Sequence, residues 1–222
     1  MLKLGEKLIN KIYLGDKAIS KVYWGEKLVY NAVSHTEIEY LEGNATSFID
    51  TGVIGKSGVS IDMEIEFPSR MSGHTYFVGC SQGSNGVFYV PFLYNGGRWS
   101  LYINNSYGKY GAYTNPNTKY HVVTETTTTG ATLYIDGVQQ ATSTASVTSG
   151  SNTMYLFGVN NGGTPLIGNT YYTDSTGYIK ISACKINVDG TLVRDYIPVE
   201  RTDGVKCLFD KVESKYYEFQ TA

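Results

Sequence analysis

Three acids alternate with apolar residues in Ile61-Asp62-Met63-Glu64-Ile65-Glu66-Phe67, and an extended strand would project all three carboxylates from one face. Two carboxylates flanking a glycosidic bond can act as general acid and as nucleophile or base. Alternating charges are also what a solvated strand face carries, and no tryptophan lies near these acids in sequence to hold a sugar ring. The expectation is a solvated face without catalysis. His35, His74 and His121 show no H-x-x-x-H or H-x-H spacing, so a metal-hydrolase site has no support. No G-x-S-x-G elbow occurs. In Gly52-Val53-Ile54-Gly55-Lys56-Ser57 the glycines are too close for a phosphate-binding loop, which predicts a turn leaving a strand.

The remaining chemistry is aromatic. Tyr94, Trp99, Tyr102, Tyr107, Tyr110 and Tyr113 fall within one short stretch together with Asn95, Asn104 and Asn105. Aromatic faces stack on the apolar faces of sugars, and Asn side chains donate to and accept from hydroxyls. Tyr94, Asn95, Trp99, Tyr102, Asn104, Tyr107, Tyr110 and Tyr113 are therefore the candidate glycan-binding residues. Tyrosine is equally at home on sheets and in protein interfaces, and part of this set can belong to the core. Tyr171-Tyr172 would extend the same rim.

These residues need a scaffold of strands. From residue 37 onward, short runs such as VSIDMEIEF, RWSLYIN, YHVVTET, ATLYIDG, NTMYLFGV and GYIKISACKINV are separated by Gly, Asn, Asp and Ser. Asp136-Gly137 and Asp189-Gly190 are hairpin signals. A dozen or so short strands without a helical period predict two sheets packed face to face. The variable loops are expected at 81–86, 95–97, 107–119, 142–152 and 160–174.

The first thirty residues follow a different rule. LGEKLINKIY, LGDKAISKVY and WGEKLVY repeat every ten residues, with Gly5, Gly15 and Gly25 each before an acid, where a two-residue hairpin turn needs glycine. Asn10-Lys11 and Ser20-Lys21 would make a second set of turns in a miniature meander or a stack of rungs. So few residues cannot bury a core alone. Leu8, Ile12, Leu14, Val22, Trp24 and Leu28 must pack against the rest of the chain, a second copy or another protein, and assembly or anchoring is the expected role. The domain reading is 1–31 for this repeat and 32–222 for the sandwich.

Composition agrees. Only 17% of the 222 residues are charged, against roughly 25% in an average soluble domain, while glycine numbers 25 and tyrosine 20. That excludes helix bundles, coiled coils and disorder. A net charge of −2 leaves no basic surplus for nucleic acid. No apolar run is long enough to span a bilayer, and the N-terminus does not read as a secretion signal. Cys80, Cys184 and Cys207 lack C-x-x-C spacing and are expected as free buried thiols.

Residues from Tyr40 onward carry a resemblance. YLEGNATSFIDTGV, LYIDG at 133–137, MYLFGVNNGG at 154–163 and KISACKINVDGTLVRDYIPVERTDGVKCLFDKVESKYYEF at 180–219 resemble concanavalin A-like, laminin-G-type jelly-roll domains. Such domains occur in phage structural proteins and in surface proteins of gut bacteria, and the ten-residue repeat is similar to leaders of phage virion proteins. The resemblance implies an all-β, antiparallel two-sheet jelly roll behind a short β-repeat module. It further implies a non-enzymatic structural protein of a phage particle: a head fibre, capsid decoration or tail-associated protein. The implied partners are copies of itself, with a homotrimer favoured by analogy, capsid or tail proteins, and host cell-surface glycans. The alternative is a carbohydrate-binding recognition module or adhesin. A calcium ion among Asp50, Asp174 and loop carbonyls would suit the laminin-G manner, but no acid-rich loop marks it, and no cofactor is expected.

Overall fold

The computed structural model describes strand residues 3–4, 7–8, 12–14, 17–19, 21–24 and 27–31, then residues 35–44, 46–67, 75–81, 89–94, 97–104, 106–107, 110–145, 147, 150–167 and 179–221. Among them every helix or strand element is a strand. The leader holds three hairpins, β1 (Lys3–Leu4) with β2 (Lys7–Leu8), β3 (Ile12–Leu14) with β4 (Lys17–Ile19), and β5 (Lys21–Trp24) with β6 (Lys27–Asn31). Leu4 pairs with Lys7, Leu14 with Lys17 and Trp24 with Lys27, while the Gly-acid dipeptides expected to form the turns lie outside the described residues. Among the described residues the three hairpins are separate two-stranded sheets and do not join into one meander. Lys21 lies inside β5, paired with Asn31, and is not part of a turn. Leu8, Ile12, Leu14, Val22, Trp24 and Leu28 all sit in these strands. What their side chains pack on lies outside the described residues.

The rest of the chain continues as β7 (His35–Glu37), β8 (Leu41–Gly43), β9 (Ser47–Ile54), β10 (Val59–Glu66), β11 (Thr75–Tyr76), β12 (Val78–Ser81), β13 (Tyr89–Tyr94), β14 (Arg98–Ile103), β15 (Ser106–Tyr107) and β16 (Lys119–Thr127). It then forms β17 (Gly130–Ile135), β18 (Val138–Ser143), β19 (Thr153–Leu156), β20 (Gly158–Asn161), β21 (Thr164–Ile167), β22 (Ile179–Val188), β23 (Thr191–Arg201), β24 (Lys206–Asp210), β25 (Lys215–Tyr217) and β26 (Gln220–Thr221). Two sheets result. The first runs β18-β17-β16-β10-β22-β23-β24-β25, with β8 added to β22 and β7 to β23. The second runs β15-β14-β13-β12-β19-β9-β26, with β11 on β13 and the β20–β21 pair on β12.

Period-two alternation builds the interface between the sheets. In β10, Val59, Ile61, Met63 and Ile65 are buried, while Asp62, Glu64 and Glu66 point away. In β14, Trp99, Leu101 and Ile103 are buried, and one core joins these residues to Val59, Ile61, Phe77, Leu93, Leu133, Met154, Ile181, Tyr196 and Leu208 from both sheets. β22 changes inward parity midway, from Ile179 and Ile181 to Cys184 and Ile186. A bulge opposite Glu64/Ile65 inserts the extra residue that makes this change.

The hairpin dipeptides behave as their types demand: Asp136 and Gly137 have φ of 50° and 77°, Asp189 and Gly190 of 52° and 76°. Both turns have the two positive φ values of a type I′ loop. Two sequence-predicted strands are interrupted. TYFVGC breaks at Phe77, and NTMYLFGV breaks at Phe157, a buried residue at φ 63° whose N–H donates to the Phe77 carbonyl at 2.9 Å. Beyond that kink β20 pairs with β12 in parallel, whereas the other ladders are antiparallel.

Candidate functional site

The three alternating acids of β10 do share one face, and each has a basic side chain across the ladder. His121 Nε2 lies 2.8 Å from Asp62 Oδ1, and Lys180 Nζ 2.9 Å from Glu66 Oε1. Lys119 Nζ is 3.9 Å from Glu64 Oε2. Both neighbouring strands, β16 and β22, supply the partners, so the row is a paired outward face. Lys180 also sits 4.4 Å from the centre of the Tyr40 ring. The segment 52–57 leaves β9 into a turn, where Lys56 pairs with Asp189 at 2.9 Å. Asp50 Oδ1 accepts the Gly52 N–H at 2.9 Å, which explains its position without a cation; Asp174 lies outside the described residues. Cys80, Cys184 and Cys207 are free and buried. Burial pushes the Cys80 and Cys207 thiols up to about 11, far from thiolate chemistry near neutral pH. Among the described residues no group of three His, Cys, Asp or Glu is placed to hold a metal ion.

The aromatic stretch divides between the two sides of the second sheet. Trp99 is 1% exposed and wedged edge-on among Phe67, Phe77 and Tyr120, with ring centres 5.8, 6.0 and 5.2 Å away. It is a core residue, so the expectation that it stacks on a sugar is corrected. The reason is strand parity: Trp99 shares its face with Leu101 and Ile103, which leaves Arg98, Ser100 and Tyr102 on the other face. Tyr102 is half-buried there in a small cluster with Tyr76, Val159 and Leu166. Ser100 is fully buried, and its hydroxyl has no hydrogen-bond partner among the described residues. Asn104 is exposed, at φ 44°, in the two-residue loop joining β14 to β15, a position that suits asparagine for backbone reasons. Tyr94 lies opposite Arg98 and Tyr107 opposite Tyr102 in the ladder, but their side chains are outside the described set. Asn95, Tyr171 and Tyr172 are also outside it.

Tyr110 and Tyr113 are exposed, at 38% and 54%, and come together around Arg98. The guanidinium carbon stands 5.5 Å from the Tyr110 ring centre and 5.3 Å from that of Tyr113. The sequence predicts a loop over 107–119, yet part of this segment lies along β14 as an added edge. The Gly111 N–H donates to the Trp99 carbonyl at 2.9 Å, the Trp99 N–H to the Ala112 carbonyl at 3.0 Å, and the Thr114 N–H to the Gly97 carbonyl at 2.7 Å. Gln140 Oε1 accepts the Ala112 N–H at 2.8 Å, fastening the segment from β18. Arg98 Nε then donates to the Gly111 carbonyl at 3.2 Å. Arg98 is outside the sequence-predicted set; its place on the face opposite Trp99 is the signal that could have found it.

A third cluster sits on the outer side of the first sheet, where β7 joins β23. Val199, Cys207 and Phe209 are buried there beneath Ile197 and Tyr216. The His35 ring packs 4.7 Å from Phe209, and its Nδ1 lies 3.3 Å from the Tyr216 hydroxyl. Arg201 covers the Tyr216 ring at 5.3 Å and pairs with Asp203 and Glu218. Burial holds the His35 imidazole below its ordinary 6.5, with the Glu37 carboxylate acting weakly in the opposite direction. The unfolded chain therefore takes up this proton at higher pH than the folded chain does. Stability from this site is complete above 6.5 and is lost as pH falls from 6.5 toward the lowered folded value. Melting temperature should accordingly drop between about pH 7.5 and 5.5, and His35→Phe should flatten that slope. An identical slope in the variant would remove His35 from the account.

No family model matches this chain, and no curated protein matches it either. Solved structures do show likeness. One is a mutant of the Trypanosoma rangeli sialidase displaying trans-sialidase activity, at 12% identity and a TM-score of 0.48 over 75% of this chain and 28% of the other. Another is domain 4 of AbnA, an extracellular arabinanase from Geobacillus stearothermophilus, in complex with arabinotriose. It shows 16% identity and a TM-score of 0.41, with 69% of this chain and 77% of that one covered. A third is the alginate lyase from Corynebacterium sp., at 17% identity and a TM-score of 0.40, covering 66% and 61%. The chain spans less than a third of the sialidases it matches. At such identities and scores the likeness says nothing of activity.

Proposed function

We propose that this chain is a non-enzymatic structural protein of a phage particle, displayed as a head fibre, capsid decoration or tail-associated protein. In this reading residues 1–31 assemble or anchor it, and the sandwich, with jelly-roll connectivity, faces outward. The observation that carries the reading is the leader, with three two-stranded hairpins at ten-residue intervals. A lone two-stranded hairpin is marginal in water, and so short a module needs apolar surface from elsewhere. Leu8, Ile12, Leu14, Val22, Trp24 and Leu28 would then be shared between copies, or between this chain and a capsid or tail protein. The resemblance of the leader to virion proteins supplies the location and favours a trimer. The full chain is expected to sediment as a homo-oligomer, and Ile12→Lys combined with Trp24→Lys should return it to a monomer without lowering the melting temperature of the sandwich. A full chain that stays monomeric at high concentration, with no mate to dock on, sinks the reading.

A second reading is favoured by one feature of the sandwich, the exposed Tyr110 and Tyr113 rings held beside Arg98. Here the outward sheet contacts host surface glycans, with Tyr102 and Asn104 at the margin. The two readings are compatible, since a displayed domain can also recognise a surface.

A further inference from the structure

Aromatic rings alone leave the chemistry of a bound sugar open, and the charge of Arg98 narrows it. Among the described residues no acid answers that charge. Arg194 faces Asp210 and Glu213, and Arg201 faces Asp203 and Glu218. Arg98 differs: among the described residues no carboxylate pairs with it. Of its five N–H donors, Nε is used on the Gly111 carbonyl, and among the described residues the two terminal nitrogens have no hydrogen-bond acceptor.

Charge distribution along the chain points the same way. From Phe67 to Thr118 the sequence contains no Asp and no Glu, while Arg70, Arg98 and Lys109 fall inside that interval. Strands β11 to β15 all come from it, and among the described strands of the second sheet the single acid is Asp50. Among the described strands every acid but Asp50 thus lies on the first sheet, which leaves the second to attract anions.

Given carbohydrate contact, the reading on which this inference rests, the geometry points to a binding site for acidic saccharides. Arg98 takes a sugar carboxylate or sulfate, and the Tyr110 and Tyr113 rings take the sugar's apolar face. Guanidinium matches such oxyanions with paired donors. The side chain is held in advance by Nε and the two rings, so little rotamer freedom remains to be lost on binding. The next outward residue, Ser100, is wholly covered, which ends the platform at Arg98 and its tyrosines.

The test uses the full chain on surfaces carrying polygalacturonate, dextran sulfate, unmodified dextran or single-stranded DNA. Retention is expected on the first two, weakening with salt, and not on dextran or DNA. Arg98→Gln and Arg98→Lys should each weaken binding about tenfold, since Lys keeps the charge and loses the fork. Tyr113→Ala, at a side chain more than half exposed, should weaken it several-fold and gives a readout independent of how Arg98 packs. Lys119→Gln, on the first sheet, should change nothing. Equal losses in the Arg98 and Lys119 variants, or DNA held as firmly as polygalacturonate, would overturn the inference by showing general charge attraction. Dextran bound as well as the acidic polymers would overturn it while leaving carbohydrate contact standing. Binding to none of the polysaccharides defeats both.

Discussion

Trp99→Ala is expected to cost about 3–5 kcal/mol of folding stability and to leave the ligand-facing side chains chemically intact. The indole is 1% exposed, and three aromatic rings meet it edge-on, so its removal opens a cavity that Phe67, Phe77 and Tyr120 cannot close without abandoning those contacts. Tyr120 is held further by its hydroxyl, which accepts the Asn115 N–H at 2.6 Å, so relaxation from that side would break a backbone hydrogen bond. Against a total of about 5–15 kcal/mol for a domain, this is a large fraction. The denaturant midpoint should fall far, with Trp99→Phe falling less. Tyr113→Ala, at an exposed ring in the same stretch, should stay within about 0.5 kcal/mol. An unchanged midpoint for Trp99→Ala, together with lost polysaccharide binding, would put Trp99 back on the surface.

That contrast shows what the sequence reveals and what it conceals. Alternation in β10 and the Asp-Gly hairpins are local rules, and the backbone obeys them. β18 escapes a reading by pattern because VQQATS turns only Ala141 and Ser143 into the protein, and small inward residues leave no apolar trace. Counting aromatics in a window treats both faces of a strand alike, which mixes Trp99 with Tyr110 and Tyr113. Reading parity against Leu101 and Ile103 separates them. The kink at Phe157 has no signal in its residue type, since phenylalanine has no preference for positive φ. Arg98 as a site needs Tyr110 and Tyr113 laid beside β14, a fact of tertiary placement. Likewise the Arg-Asp-Tyr run and the later Leu-Phe-Asp are visible as a resemblance, while the contact that joins them to Thr51 is not.

That contact carries the second large effect. Asp210 is fully buried; its Oδ1 accepts the N–H groups of Asp195 and Val212, at 2.9 and 3.0 Å. Its Oδ2 has no hydrogen-bond partner among the described residues and relies on Arg194 Nε, 3.7 Å away. Arg194 Nε donates to the Thr51 carbonyl at 3.0 Å, which links β23 of the first sheet to β9 of the second. Its Nη1 meets Glu213 at 2.6 Å, and the guanidinium lies against the Tyr217 ring. Arg194→Met strands a buried carboxylate and should cost about 3–5 kcal/mol. Adding Asp210→Asn removes the stranded charge and keeps an acceptor for the two backbone donors. The double variant should therefore be less damaged than the sum of the singles, by a coupling of about 1–3 kcal/mol in urea unfolding. Additive losses would mean that the two side chains do not act on one another. Acid separates this network from the His35 corner. The Tyr217 hydroxyl first, with Arg194 behind it, holds the Glu213 carboxyl below its ordinary 4.5. Its contribution is intact above 4.5 and is lost as pH falls through the lowered value, beneath the window in which His35 acts. A pH titration of stability should thus descend in two steps, the upper removed by His35→Phe and the lower by Glu213→Gln, each variant leaving the other step in place.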